Sequence, residues 1–218
     1  AKSLTYNAKS QTTTIVVNGK TLTLNKDFKV VSGSLKATKA GTYTVKIKGI
    51  GNYSGDTTVK HTVNAQQSYK ATAAAKTYNA KNQTTKVTVK YGNTVLKRGT
   101  DYKITGVTKA KNAGKYKITV KGINNYKGTK TIYYTINKAA QKSVKVKVNA
   151  SKKKITVSGV KAKAKVTYKS ANKKVKVKNG KITVGKGVKK GTKVRITVKV
   201  AATKNYKAYS KSIIYKVK

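Results

Sequence analysis

The sequence predicts an all-β fold, three tandem β-sandwich domains set in line as an elongated rod, and three observations predict it. Apolar residues recur with a period of two. The motifs of the first third return 73 residues later, from Gly41 to Gly114. Almost no segment of the 218 residues has the composition of a helix.

The period is clearest in two runs. Tyr43, Val45 and Ile47 alternate with Thr44, Lys46 and Lys48, while Tyr116, Ile118 and Val120 alternate with Lys117, Thr119 and Lys121. The last third repeats the pattern in Val144/Val146/Val148, Val175/Val177 and Val194/Ile196/Val198/Val200. Successive side chains of a strand point to opposite faces, so each run carries one hydrocarbon face and one lysine-rich face. Asn18-Gly19, Gly92-Asn93 and Asn179-Gly180 separate the runs and suit tight hairpins, because Asn and Gly tolerate positive φ. Only Ala71–Lys76 is helix-forming in composition, and it is too short to stand as a helix alone.

Repetition sets the domain plan. Tyr6-Asn7-Ala8-Lys9-Ser10-Gln11-Thr12-Thr13 recurs as Tyr78-Asn79-Ala80-Lys81-Asn82-Gln83-Thr84-Thr85. Ala40-Gly41-Thr42-Tyr43 returns as Ala113-Gly114-Lys115-Tyr116, and Gly49 to Gly55 as Gly122 to Gly128. A divergent third unit keeps Gly191 before a strand and Asn205-Tyr206 after it. Alternation lapses near Gln66-Gln67 and Ala139-Ala140-Gln141, which places the domains at 1–66, 67–140 and 141–218.

Charge dominates the composition. Lys plus Arg number 52 against three acids, Asp27, Asp56 and Asp101, for a formal net charge of +49. Only Arg98 and Arg195 are arginine. A tilt toward AT-rich codons would raise glutamate along with lysine, and glutamate is absent, so the sign itself points to selection. Such a charge opposes compaction and favours an anionic partner. Cys, Met, Trp and Pro are all absent, which removes disulfides and thiolate metal sites and leaves the fold to packing. No apolar run approaches the ~20 residues of a membrane helix, so no transmembrane segment is expected. The chain opens at Ala1 rather than Met, which fits a processed or excised form and an exported one.

The first two units resemble the Tyr-Asn/Asp-Gly/Ala-Lys type of β-repeat of Gram-positive surface and secreted proteins. The resemblance rests on Tyr6 and Lys9, Leu24 and Asp27-Phe28, Ala40 to Tyr43, and Gly49 to Gly55. In the second unit it rests on Leu96, Gly99, Asp101-Tyr102 and Ala113 to Tyr116. Val166 to Asn172, followed by Asn179 to Val184, is similar to a bacterial immunoglobulin-like repeat. The resemblance implies three tandem immunoglobulin-like β-sandwich domains, an extracellular, secreted or cell-surface setting, and service as a stalk, adhesin or appendage. It brings no catalytic residues. Repeats of this kind are commonly acidic or mixed, so the lysine excess belongs to this chain.

Side chains two apart on a strand lie ~6.6–6.8 Å from each other on one face, inside the ~8 Å Debye length at physiological salt. Lys46 and Lys48, Lys115, Lys117 and Lys121, Lys145 and Lys147, and Lys174, Lys176 and Lys178 therefore form cationic ladders for a linear polyanion. The expected partners are anionic glycopolymers of cell wall or host surface: teichoic acids, acidic polysaccharides and sulfated glycans. Non-specific nucleic acid ranks below them. With two arginines the chain lacks the planar fork that reads bases bidentately. A structural stalk or filament subunit is the competing expectation.

No cofactor, metal or enzymatic activity is expected. Asp27 and Asp101 stand before an aromatic residue at equivalent places, fit for stabilising a turn; assistance to a Lys–Asn isopeptide bond is the alternative the resemblance raises. His61 is the only histidine and stands where the second unit has Tyr134, as a packed rather than a ligating residue. Gly49-x-Gly51 and Gly185-x-Gly187 lack the rest of a nucleotide-binding pattern and read as turns. Tyr43, Tyr116 and Tyr168 fall on apolar faces and are expected in the core. Tyr53, Tyr126 and Tyr206 recur in loops as packing posts, with stacking on sugars or bases as the alternative.

Overall fold

The computed structural model describes all 218 residues and is all-β, its one helical element a 3-10 turn at Lys161–Lys163. The first repeat contributes β1 (Leu4–Thr5), β2 (Gln11–Thr12), β3 (Ile15–Val17), β4 (Lys20–Leu22), β5 (Phe28–Ser32), β6 (Lys36–Ala37), β7 (Gly41–Gly49) and β8 (Asp56–Asn64). The second contributes β9 (Lys70–Ala73), β10 (Lys76–Thr77), β11 (Gln83–Thr84), β12 (Val87–Tyr91), β13 (Thr94–Val95), β14 (Tyr102–Gly106), β15 (Lys109–Ala110), β16 (Gly114–Gly122) and β17 (Thr129–Asn137). The third contributes β18 (Lys145–Asn149), β19 (Lys154–Ser158), β20 (Val166–Ser170), β21 (Val175–Lys178), β22 (Lys181–Val184), β23 (Lys193–Val200) and β24 (Tyr209–Lys216).

The period of two becomes burial. In the third repeat the sheet β18-β19-β22-β21 faces the sheet β20-β23-β24. Val146, Ile155, Val175 and Ile182 from one meet Val194, Ile196, Val198 and Tyr215 from the other in a single core, the arrangement of a β-sandwich. In the first repeat the β3–β4 hairpin and the sheet β1-β8-β7-β5 enclose Ile15, Leu22, Phe28, Leu35, Val45 and Ile47. The helix-like composition of Ala71–Lys76 yields to pairing: β9 runs antiparallel to β12, with Ala71 opposite Val89.

Turn chemistry fixes the hairpins. Asn18 and Gly19 have φ of 48° and 78°, and Asn179 and Gly180 of 50° and 81°, two positive values in succession as a type I′ turn requires. At Gly92-Asn93 only Gly92 is positive, the II′ pattern. In each Tyr-Asn-Ala-Lys motif the Asn side chain accepts the lysine N–H, Asn7 from Lys9 and Asn79 from Lys81, both at 3.0 Å. That places Ala8 and Ala80 at φ of 65° and 66°, a conformation costing a non-glycine residue roughly 1–2 kcal/mol.

One motif assignment is corrected. Leu24 is exposed, and it is Leu22 that is buried as Leu96 is. Thr13 and Thr85, both buried, are 72 residues apart, whereas Asp27 and Asp101 are 74 apart. A two-residue insertion in the longer β12 accounts for the slip, so Leu22 corresponds to Leu96 and Leu24 to Arg98. The bridges Leu24–Phe28 and Arg98–Tyr102 confirm that register.

The chain separates into two compact units. One comprises Ala1–Ala74, Lys86–Thr108 and Tyr116–Tyr133; the other comprises Ala75–Thr85, Lys109–Lys115 and Tyr134–Lys218. The division runs through the second repeat, and a joint built twice explains it. Within the first unit the Asn125-Tyr126 loop is gripped by the first repeat. Ala40 N–H donates to Asn125 Oδ1 at 2.8 Å, Gln66 N–H to the Asn125 carbonyl at 2.8 Å, and Lys127 N–H returns a bond to the Gln66 carbonyl at 2.9 Å. Tyr6 meets the Tyr126 ring edge-on at 5.5 Å. Within the second unit the same bonds hold Asn205-Tyr206. Ala113 N–H donates to Asn205 Oδ1 at 2.8 Å, Ala139 N–H to the Asn205 carbonyl at 2.9 Å, and Lys207 N–H to the Ala139 carbonyl at 2.8 Å. Tyr78 meets Tyr206 edge-on at 5.3 Å. Each unit is organised around a joint rather than around a repeat.

Candidate polyanion-binding faces

All ten lysines singled out from the sequence are exposed. Lys46, Lys48, Lys117 and Lys121 lie in the first compact unit; Lys115, Lys145, Lys147, Lys174, Lys176 and Lys178 lie in the second. Lys46 and Lys48 share the outer face of β7, where Lys46 stands opposite Thr58 and Lys48 opposite Asp56. Lys145, Lys147, Lys176 and Lys178 come together on the outer face of β18-β19-β22-β21, and Lys174 precedes β21 with its N–H on Asn172 Oδ1 at 2.8 Å.

Reading along single strands misses the cross-strand neighbours. The register sets Lys178 directly opposite Lys181, and Lys181 directly opposite Lys154. Three lysines thus stand in a row across three adjacent strands. Strands are ~4.7–4.9 Å apart, so this row is denser than any ladder along one strand. The Asn179-Gly180 turn held the signal: a two-residue hairpin loop places its flanking residues opposite each other, and both are lysine. The same face carries Thr156 opposite Lys147, Ser158 opposite Lys145 and Thr183 opposite Lys176, with no carboxylate among them. A depression of about 430 Å³ adjoins it, lined by Lys173, Lys174, Lys176, Thr183, Gly185 and Lys186. Other opposed lysine pairs are Lys29–Lys48, Lys103–Lys121, Lys70–Lys90 and Lys193–Lys216.

The core beneath fixes which side chains point outward. Ile155, Ile182 and Val175 alternate with the lysines and are almost fully buried, so each ammonium is anchored by its own strand's inward neighbours.

Asp27 Oδ2 accepts the Thr23 N–H and Asp101 Oδ2 the Lys97 N–H, each at 2.8 Å, so both carboxylates close the turn that leads into β5 or β14. His61 is buried, stacked on Tyr43 at 5.1 Å, with Nε2 3.0 Å from the Ser34 carbonyl. No group of three His, Cys, Asp or Glu side chains is gathered anywhere. Gly49 N–H donates to the Gly55 carbonyl and Gly185 N–H to the Lys174 carbonyl, so both glycine pairs belong to turns. Tyr43, Tyr116 and Tyr168 are half-buried rather than core residues, with Tyr168 packed against the core of the third repeat. Burial holds the Tyr168 phenol above the usual tyrosine range. Tyr126 is more than a local post. The residue is 4% exposed, and its ring is met edge-on by Tyr6, Tyr69 and Tyr91. Burial first, then the neighbouring Tyr6, pushes its phenol far above the ordinary value. No helix is long and apolar enough to cross a membrane.

No protein-family model matches the sequence, and no curated protein is significantly similar to it. Among solved structures the chain is similar to the crystal structure of Drosophila N-cadherin EC1-4, at 10% identity and a TM-score of 0.28, over 99% of this chain and 72% of that one. A likeness so slight carries no conclusion about ancestry or function.

Proposed function

We propose that this chain is a non-enzymatic extracellular adhesion or anchoring module that binds linear polyanions, teichoic acids and acidic or sulfated glycans, through its lysine-rich strand faces. The row Lys154–Lys181–Lys178 carries the reading. Like charges directly opposite each other on a sheet are destabilising, and at ~5 Å even bulk water leaves roughly 0.8 kcal/mol of repulsion between two fixed unit charges. A polyanion laid across the row relieves that repulsion and releases its own counterions. Affinity then depends on how many anionic groups are neutralised rather than on a shaped pocket. Lysine suits this mode because it acts as a rotatable point charge.

Heparin and teichoic-acid columns test the reading. The 218-residue chain should elute only at high salt, and the Lys154→Gln/Lys178→Gln/Lys181→Gln triple variant distinctly earlier. Elution of the unaltered chain at low salt defeats the proposal.

A stalk or filament subunit is the second reading, favoured by the joint that recurs with the same hydrogen bonds at Asn125-Tyr126 and Asn205-Tyr206. A stalk with passive charge predicts the same elution for the triple variant and the unaltered chain.

A further inference from the structure

We infer that Asn52-Tyr53 in the first repeat is a preformed docking end for one further repeat of the Tyr-Asn-Ala-Lys kind. The inference rests on the repeated joint, not on the charge reading, and goes beyond both functional readings by naming the contact.

The loop is the counterpart of Asn125-Tyr126 and already has its shape. Gly49 N–H donates to the Gly55 carbonyl at 2.8 Å and Gly122 N–H to Gly128 at 3.0 Å. Ile50 N–H donates to Asp27 and Ile123 N–H to Asp101, both at 2.9 Å, and Tyr53 and Tyr126 N–H donate to Ile50 and Ile123 at 3.2 and 3.1 Å. Gly51 and Asn124 hold the same left-handed place, at φ of 63° and 56°. What differs is cover. Asn125 and Asn205 are partly buried in their joints and Tyr126 is buried, whereas Asn52 is exposed and Tyr53 half-buried. A loop that keeps the docked geometry while undocked gives up little conformational freedom on binding.

The occupant follows from what the two filled joints supply. Each offers a tyrosine edge (Tyr6 or Tyr78), a backbone N–H for the Asn side chain (Ala40 or Ala113), and a terminal residue that exchanges backbone bonds with the loop (Gln66 or Ala139). Both such surfaces of this chain are filled by its own Asn-Tyr loops, so the matching surface is that of another Tyr-Asn-Ala-Lys repeat on which the same place is open.

A duplicate of residues 1–72 set directly before Ala1 tests this, because it keeps the 72-residue spacing from Tyr6 to Tyr78. Losing the Asn side-chain bond should lower the folded-to-unfolded ratio about three- to tenfold. Asn52→Ala should show that loss in the extended chain and none in the 218-residue chain. In the extended chain the Ala40 amide of the duplicate should gain protection from hydrogen exchange. Asn125→Ala, which should cost stability in both chains, shows that the assay detects a joint. An Asn52→Ala effect that is equal in the two chains, or absent from both while Asn125→Ala is felt, overturns the inference and leaves the polyanion reading untouched.

Discussion

Two lysine faces of this protein differ in how they treat their charge. On the outer face of β7–β8 in the first repeat, Lys46 stands opposite Thr58, Lys60 opposite Thr44, and Lys48 between Lys29 on one side and Asp56 on the other. Lys46, Lys48 and Lys60 each have a neutral or acidic neighbour across the strand, and only Lys29, on the edge strand β5, meets a lysine alone. On the face of β18-β19-β22-β21, Lys181 stands between Lys154 and Lys178 and no acid is near. The first arrangement is what a soluble strand surface needs. The second accepts mutual repulsion, and repulsion kept in a folded sheet is free energy available to an anionic ligand.

The largest consequence concerns binding. Neutralising Lys154, Lys178 and Lys181 together should lower the salt slope of polyanion affinity by roughly one unit per lysine that contacts the ligand. Neutralising Lys29, Lys46 and Lys48 should lower it less, because Asp56 already offsets part of that charge. Isothermal titration with a sulfated oligosaccharide at several salt concentrations measures both slopes. Equal slopes would remove the distinction between the faces.

The hairpin turn beside the lysine row also differs from the β3–β4 turn of the first repeat. Gly19 and Gly180 both hold the left-handed place of a type I′ turn, but a Cβ at Gly19 meets nothing within 4 Å, while one at Gly180 collides with the Ile155 carbonyl oxygen. The Gly180 carbonyl also accepts the Ile155 N–H at 2.7 Å. Gly19→Ala should therefore cost only the conformational penalty, about 1–2 kcal/mol. Gly180→Ala should cost that and more, since backbone must shift beside the lysine row. Urea denaturation ranks the two, and the Gly180 variant should lose polyanion affinity as Lys178 and Lys181 move apart.

The sequence made the alternating strands, the turns and the lysine-bearing faces legible because each depends on neighbours close along the chain. Tyr43, Val45 and Ile47 point to the core for the same reason that Lys46 and Lys48 point out of it. The register between strands is less local. Lys154 meets Lys181 across 26 intervening residues, and no single-strand pattern reveals that pairing. The two-residue insertion in β12 hid the match of Leu22 with Leu96 behind the more obvious Leu24. The joints were the least legible. Tyr126 and Tyr206 read as local posts, yet their partners Tyr6 and Tyr78 lie more than a hundred residues earlier in the chain.

The smallest expected effect separates the faces by stability alone. Lys181→Thr relieves two directly opposed lysines, so the folded state should gain roughly 0.2–1 kcal/mol at low salt. Lys48→Thr relieves Lys29 but gives up the attraction of Asp56, so its net change should lie near zero. Added salt screens both terms and should shrink the Lys181→Thr gain toward that of Lys48→Thr. Thermal unfolding at low and high ionic strength reads the difference. A Lys181→Thr variant no more stable than the unaltered chain at low salt would mean that the flexible lysine stems already splay their ammonium groups apart, and the row would then hold no repulsion for a ligand to relieve.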